Sequence, residues 1–329
     1  MLRLVLTRLA YAVLVMIGVT FVVASLIKLI PGDPVDIMAA GNPGMTVEDM
    51  DKLRHELGLT RPILEQFFIY AKNAVLGDLG ISIRQRVPAA GLIWERLPAT
   101  AELAFWAILI ALAVAIPIGI VTALKRNTAI DYAGTVVAVL GVSVPGFLLG
   151  ILLILVLSVN LRWLPASGFR GSALALVPSA IASGDPSIFW NAFRYFILPS
   201  ISLAFVLVAI NARLVRSSMI EVLQQDYITF ARAKGLPIRI IYLRHALRNA
   251  LLPVLTVVGL QLGSLLSGTI VIETVFAWPG IGRLAVQAVH WRDYPLIQAV
   301  VLISALLFVF LNLVVDLLYR WVDPRAHHG

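Results

Sequence analysis

The chain contains no cysteine, which removes disulfide frameworks and thiolate metal sites and leaves the redox compartment unmarked. Charge is scarce as well. Only 13% of the 329 residues are Asp, Glu, Lys or Arg, against 60% hydrophobic residues and a mean hydropathy of +0.93. That balance excludes an ordinary soluble globular domain and reads as an all-α integral membrane protein. Also missing is a Gly-x-x-x-x-Gly-Lys-Ser/Thr loop, so the chain lacks the usual cradle for nucleotide phosphates and is read as no enzyme of its own. Solenoid-period repeats and low-complexity linkers are absent too.

Within the apolar stretches, ionisable residues are nearly lacking. Lys28, Glu102, Arg213, Glu273 and Asp316 all fall near expected span ends, where long side chains reach the interface. A proton- or sodium-coupled secondary carrier would lack its relay. A rhomboid-like intramembrane protease would need a histidine base at membrane depth beside a nucleophile such as Ser143, and no expected span holds one. His55, His245, His290, His327 and His328 are scattered and outline no metal cage.

What the sequence does have is six candidate runs for crossing about 30 Å of hydrocarbon, near 9–30, 101–124, 132–159, 197–212, 251–272 and 296–318. The fourth is short and has an alternative start around Phe189-Trp190. Arg3 and Arg8 precede the first run as a signal peptide's n-region would. Leu9 to Ile30 is too long for an h-region, however, and Ala24-Ser25-Leu26 is a poor cleavage site, so an uncleaved first span is expected. The formal charge of +8 and pI near 10.0 arise from residues bordering apolar runs, which favours topology over nucleic-acid binding. Arg3, Arg8, Lys125, Arg126, Arg213, Arg216, Arg232, Lys234, Arg239, Arg244, Arg248, Arg320 and Arg325 all fall on one side. The positive-inside rule makes that side, with both termini, cytoplasmic.

Three parts are expected: residues 1–30 as the N-terminal region and first span, 31–100 as a small helical extracytoplasmic excursion, and 101–329 as a five-span core. In the excursion, Thr46-Val-Glu-Asp49 forms a capping-box pattern that predicts a helix to about Leu57, stopped by Gly58. Pro62 opens a second helix through Leu76, ended by Gly77.

Two regions stand out as candidate sites. Between the fourth and fifth runs lies a basic, helix-forming island. Asp226 is placed as its N-cap, Tyr227, Phe230 and Ala231 on one face, Ala233 beside them, Arg232 and Lys234 at the cationic end, and Gly235 and Pro237 as the stop. This pattern suits sideways docking into a soluble partner; it equally suits a topogenic loop lying on anionic lipid. The other region is the fifth run, where Gly259, Gly263 and Ser267 share a packing face as Gly146 and Gly150 do in the third. Close helix packing accounts for them. With Gln261 and Ser264 they also offer room and polar atoms to a hydrated passage.

Asp226-Tyr227, Ala231-Arg-Ala-Lys-Gly235 and His245-Ala-Leu-Arg-Asn249-Ala-Leu-Leu-Pro253 resemble the cytoplasmic signature of ABC importer permeases for dipeptides, oligopeptides and nickel. Landmarks in order along the chain extend the resemblance: Pro31-Gly-Asp-Pro34, Gly77-Asp-Leu-Gly-Ile-Ser82, Leu97-Pro-Ala-Thr-Ala-Glu-Leu103, Ala277-Trp-Pro-Gly-Ile-Gly-Arg283, Arg292-Asp-Tyr-Pro295 and Asp323-Pro-Arg325. The wider superfamily's Glu-Ala-Ala, three residues, Gly pattern is altered. Thr229 stands at the Glu position, Phe230 and Ala231 at the Ala positions, and His245 and Arg248 at the Ile and Pro positions, as in the peptide and nickel branch.

The resemblance implies a type I importer permease in a bacterial inner membrane, with residues 226–235 as a coupling helix in a groove of a cytoplasmic ATPase. It implies a related second permease subunit, two ATPase subunits that hydrolyse ATP with Mg, and an extracytoplasmic binding protein. This chain would itself bind no cofactor. The cargo it implies is dipeptides or short oligopeptides, with glutathione, nickel complexes or other peptide-borne ligands as alternatives.

Overall fold

The computed structural model describes residues 2–29, 34–40 and 44–322. Part of the Pro31-Gly-Asp-Pro34 landmark, all of Asp323-Pro-Arg325 and the pair His327 and His328 lie outside them. Every regular element among the described residues is helical: α1 (Leu2–Leu29), α2 (Pro34–Ala40), α3 (Val47–Glu56), α4 (Ile63–Val75), α5 (Ala89–Leu124), α6 (Ala129–Ser143), α7 (Gly146–Leu153), α8 (Val177–Ser183), α9 (Ser187–Leu223), α10 (Asp226–Ala233), α11 (Ile238–Ile240), α12 (Leu247–Gly268), α13 (Ile270–Val275), α14 (Ile281–His290) and α15 (Tyr294–Val322). They fall into two compact units, Met1–Thr100 with Pro279–Phe310, and Ala101–Trp278 with Leu311–Gly329.

In the first unit the expected local signals are realised. The Thr46 hydroxyl accepts from the Asp49 amide at 3.2 Å, while the Asp49 carboxylate accepts from the Thr46 amide at 3.1 Å and its hydroxyl at 2.7 Å. Those bonds hold the Asp49 carboxyl below the usual carboxylate range. Leu57 caps α3, and Gly58 follows at φ +67°. Pro62 then precedes α4, whose Phe67 meets Phe21 of α1 edge to face at 5.6 Å.

A buried carboxylate organises the rest of that unit. Asp293, fully buried, accepts from the Ser82 hydroxyl and from the amides of Ile83 at 3.1 Å and Arg84 at 3.2 Å. It also accepts from the Leu296 amide at 3.3 Å. The Gly77–Ser82 and Arg292–Pro295 landmarks are therefore two halves of one contact. Likewise the buried Thr100 hydroxyl accepts from the Ile281 amide at 2.9 Å, joining Leu97–Leu103 to Ala277–Arg283. Around these bonds Leu79, Ala89, Ile93, Ile281, Leu284, Leu296 and Val300 form the core.

The second unit is built around α9, 37 residues long, which packs against α6, α7 and α12. Small residues permit the approach. A methyl group added to Gly146 would sit 2.9 Å from the Ser202 carbonyl oxygen, one on Gly150 would sit 3.0 Å from the Phe276 ring, and one on Gly259 would overlap Val315. Near the end of α9, Arg216 donates from Nε to Asp131 Oδ1 at 2.6 Å and from Nη2 to Oδ2 at 2.7 Å, tying it to the first turn of α6. Trp278 is fully buried against Phe196 at 4.5 Å and Phe169 at 4.9 Å.

The span boundaries differ from the sequence expectation. Among the described residues four helices are long and apolar enough to cross a membrane, or five if the pair Ala129–Ser143 and Gly146–Asn160 counts as one. That third run is bent by 96°, because Val144 precedes Pro145 and is held extended at φ −89°, ψ 121°. The fourth run lies in the much longer α9. The fifth begins earlier than 251: α11, a π-helical turn at Ile241–Ala246 and α12 run on as one stretch, which breaks at Thr269.

Replacing Asp293 with Ala strands the Ile83 and Arg84 amides and the Ser82 hydroxyl, at a cost of about 3 kcal/mol. Hydrogen exchange at Ile83 and Arg84 should accelerate by about two orders of magnitude, with a smaller change in Asp293→Asn. Unchanged exchange in the Ala variant would show that the carboxylate does not hold the loop.

Candidate functional site

Immediately after α9 the chain turns at Gln224 and Gln225 into α10. Gln225, extended at φ −73° and ψ 148°, is the N-cap and makes no side-chain capping bond. Asp226, expected at that position, is instead the first helical residue, where its carboxylate complements the positive end of the helix dipole.

The eight residues of α10 present two faces. Ile228 is fully buried and Ala231 is 7% exposed, both packed in the core formed with Val215 and Met219 of α9, Ile241 and Ala246 of the π-helical turn, and Ala250 and Val254 of α12. Opposite them, Tyr227 is 42% and Phe230 61% exposed. The expected grouping of Tyr227, Phe230 and Ala231 is thus divided, with Ala231 turned inward beside Ile228. Spacing carried the signal that was missed, since Ile228 and Ala231 stand three apart on one helical face.

The outward face is orderly. Lys234 Nζ lies 4.5 Å from the centre of the Phe230 ring, a cation–π contact. Asn249 donates to the Tyr227 hydroxyl at 2.8 Å and to the His245 carbonyl at 3.1 Å, fixing the aromatic to the following helix. Arg232, Ala233 and Lys234 are exposed.

Two crossed bonds end α10. The Leu236 amide donates to the Ala231 carbonyl at 3.3 Å and the Gly235 amide to Arg232 at 2.9 Å, the pairing of a Schellman stop. Gly235 adopts φ +71°, and a methyl group there would meet nothing within 4 Å. Glycine is needed for backbone angle, not for space. Beyond it Leu236, Ile238 and Ile240 are exposed together with Arg239, Arg244 and Arg248. The result is an apolar tip rimmed by cations and rooted in the packed helices.

Along the fifth run, Gly259 is closed against Val315, and Gly263 is buried. Ser264 is exposed and donates to the Gln261 carbonyl at 2.8 Å. Gln261, 9% exposed, accepts through Oε1 from Asn211 Nδ2 of α9 at 2.9 Å. Asn211 Oδ1 and Gln261 Nε2 are buried without a hydrogen-bond partner among the described residues. The side chain of Ser267 lies outside the described set. Asn211 was not singled out from sequence, and neither was Asp131; only their partners Gln261 and Arg216 were.

Comparison with known proteins agrees with this architecture. A family profile described as "Binding-protein-dependent transport system inner membrane component" matches residues 115–328, and the corresponding N-terminal profile matches residues 1–104. The dipeptide transport system permease protein DppB of Escherichia coli K12 is 42% identical over 343 residues, covering 100% of this chain and 99% of the relative. DppB of Alkalihalophilus pseudofirmus is 41% identical over the full length of both chains. The glutathione transport system permease protein GsiC of Escherichia coli O6:H1 is 40% identical, also over the full length of both. Among solved structures, a chain of the MetNI methionine ABC transporter in inward-facing conformations superimposes with a TM-score of 0.54 at 17% identity. That match covers 70% of this chain and 96% of the other, a likeness of fold alone. Two profiles spanning nearly every residue, and end-to-end relatives at about the same identity, agree with the buried landmark contacts: this chain belongs to the family of inner-membrane components of binding-protein-dependent transport systems.

Proposed function

We propose that this permease subunit carries dipeptides or short oligopeptides inward by alternating access, driven through α10 by partner ATPases. The carrying observation is the burial of Ile228 and Ala231 in the same core as α9 and α12, with Tyr227 and Phe230 left outward. A helix so rooted transmits displacement to the spans beside it. ABC permease subunits have no ATPase activity of their own, so ATP and Mg belong to two cytoplasmic partners. Substrate would arrive on an extracytoplasmic binding protein, and a related second permease would complete the passage.

In this reading α1 supplies a sixth span: its 28 residues give about 42 Å of helix against a hydrocarbon core of about 30 Å. Both termini and residues 226–235 face the cytoplasm, with residues 31–100 outside and 101–329 carrying the passage. Gly259 and Gly263 serve packing, and Gln261 and Ser264 are the polar positions placed beside the passage. The names of the DppB relatives support peptides as cargo; the GsiC relative supports glutathione, itself a peptide, as a second reading.

Reconstitution of the chain with its partner permease, ATPases and binding protein tests the assignment directly. ATP-dependent accumulation of a labelled dipeptide in proteoliposomes is expected, and accumulation by this chain alone would refute it.

Phe230→Asp places a charge in the docking contact and should reduce ATPase co-purification about tenfold without lowering the thermal stability of the chain. Ile228→Ala should do the reverse, destabilising the chain by about 2–4 kcal/mol and lowering uptake per ATP while the ATPases still bind. Equal ATPase retention in both variants would dissociate the helix from docking.

At Gly235, Val forces a β-branched residue to positive φ and should cut uptake severalfold, whereas Asn tolerates that angle and should retain most of it. If both variants transport like the parent, the stop of α10 has no part in coupling.

A further inference from the structure

We infer that Arg170 and Arg194, held against the ring of Tyr195, form a binding site for the phosphate of an anionic phospholipid. The guanidinium carbon of Arg170 lies 5.6 Å from the Tyr195 ring centre and that of Arg194 lies 5.5 Å from it, so two cations share one aromatic. Among the described residues neither arginine has a carboxylate partner. Among the described residues Arg194 Nε is buried without an acceptor. Two like charges against one ring, one with a desolvated N–H unmet, favour an anion beside them. Each guanidinium presents a planar fork that matches phosphate oxygens in pairs.

The protein builds this place and does not merely leave it exposed. Gly168 donates its amide to the Phe276 carbonyl at 3.0 Å, and a methyl on Gly168 would meet the Tyr195 ring at 3.6 Å. Phe169 packs on Phe196 and Trp278, so the loop carrying Arg170 is pinned to α9 beside Arg194.

Position selects the occupant. Arg194 and Tyr195 immediately precede the apolar stretch from Phe196 on in α9, a helix long and apolar enough to cross a membrane. Trp190 is 51% exposed one turn before them, and Trp163, 71% exposed, stands on the same connection as Arg170. Exposed tryptophans at the edge of a span mark the headgroup level, where arginines meet lipid phosphate.

Native mass spectrometry of the full chain, titrated with phosphatidylglycerol or with diacylglycerol of the same acyl chains, reads the site directly. The parent should retain phosphatidylglycerol in preference to the phosphate-free lipid, and R170A/R194A should lose that preference about tenfold. R170K/R194K, which keeps charge and loses the fork, should fall between them. Arg170→Gln changes only an exposed loop residue and keeps the test valid should the double variant misfold; it should lose about threefold. Unchanged preference in Arg170→Gln or in monodisperse R170A/R194A would overturn the inference. So would displacement of phosphatidylglycerol by a free dipeptide, which would make this a carboxylate site for cargo.

Discussion

A short amphipathic helix can pass force into a membrane protein only if one of its faces is part of the core. In α10 that condition is met by two residues, Ile228 and Ala231, which close against α9, the π-helical turn and α12. The other face is free because its aromatics are satisfied locally: Tyr227 by Asn249, Phe230 by Lys234. Eight residues are too few to make a stable helix in isolation, so α10 owes its form to this packing and to the crossed bonds at Gly235. Weakening the buried face loosens the hold of α10 on the spans before it alters the exposed aromatics. In the coupling role proposed for α10, the buried side chains matter as much as the exposed ones.

The π-helical turn at Ile241–Ala246 belongs to the same device. It lies where α11 becomes α12, and its buried residues Ile241 and Ala246 face the core that receives Ile228. A π turn sets a residue out of the ordinary helical register and is common at functional positions. Just beyond it one Asn249 amide bonds both the His245 carbonyl and the Tyr227 hydroxyl. The aromatic tip is thus oriented by α12.

Local signals were legible in the sequence and distant pairings were not. The Thr46–Asp49 capping box, the Gly58 and Gly77 stops and the proline at the start of α4 lie within four residues of what they control, and each stands where pattern placed it. Asp226 misled for an equally local reason: an acidic residue suits both the N-cap and the first turn, and only backbone angles separate them. Ser82 and Asp293 are 211 positions apart, and nothing in periodicity links them. Their motifs were visible as landmarks without a stated cause. The cause is a carboxylate that needs several donors once removed from water. The bend at Val144-Pro145 could have been read from the dipeptide, but continuous hydropathy on both sides concealed it.

The polar groups of the spans follow one rule with unequal results. Arg216 and Asp131 satisfy each other through two bonds, closing the first turn of α6 onto α9. Asn211 and Gln261 make a single bond between α9 and α12 and, among the described residues, leave one acceptor and one donor unmet. In hydrocarbon an amide pair with unused capacity is less favourable than one fully bonded, so this contact holds its two helices less firmly than the ion pair holds its own. A permease that alternates needs both kinds: fixed joints that keep the moving body intact, and weaker ones where helices exchange neighbours. Asp131–Arg216 has the chemistry of the first kind, and Asn211–Gln261, beside the exposed Ser264, has that of the second.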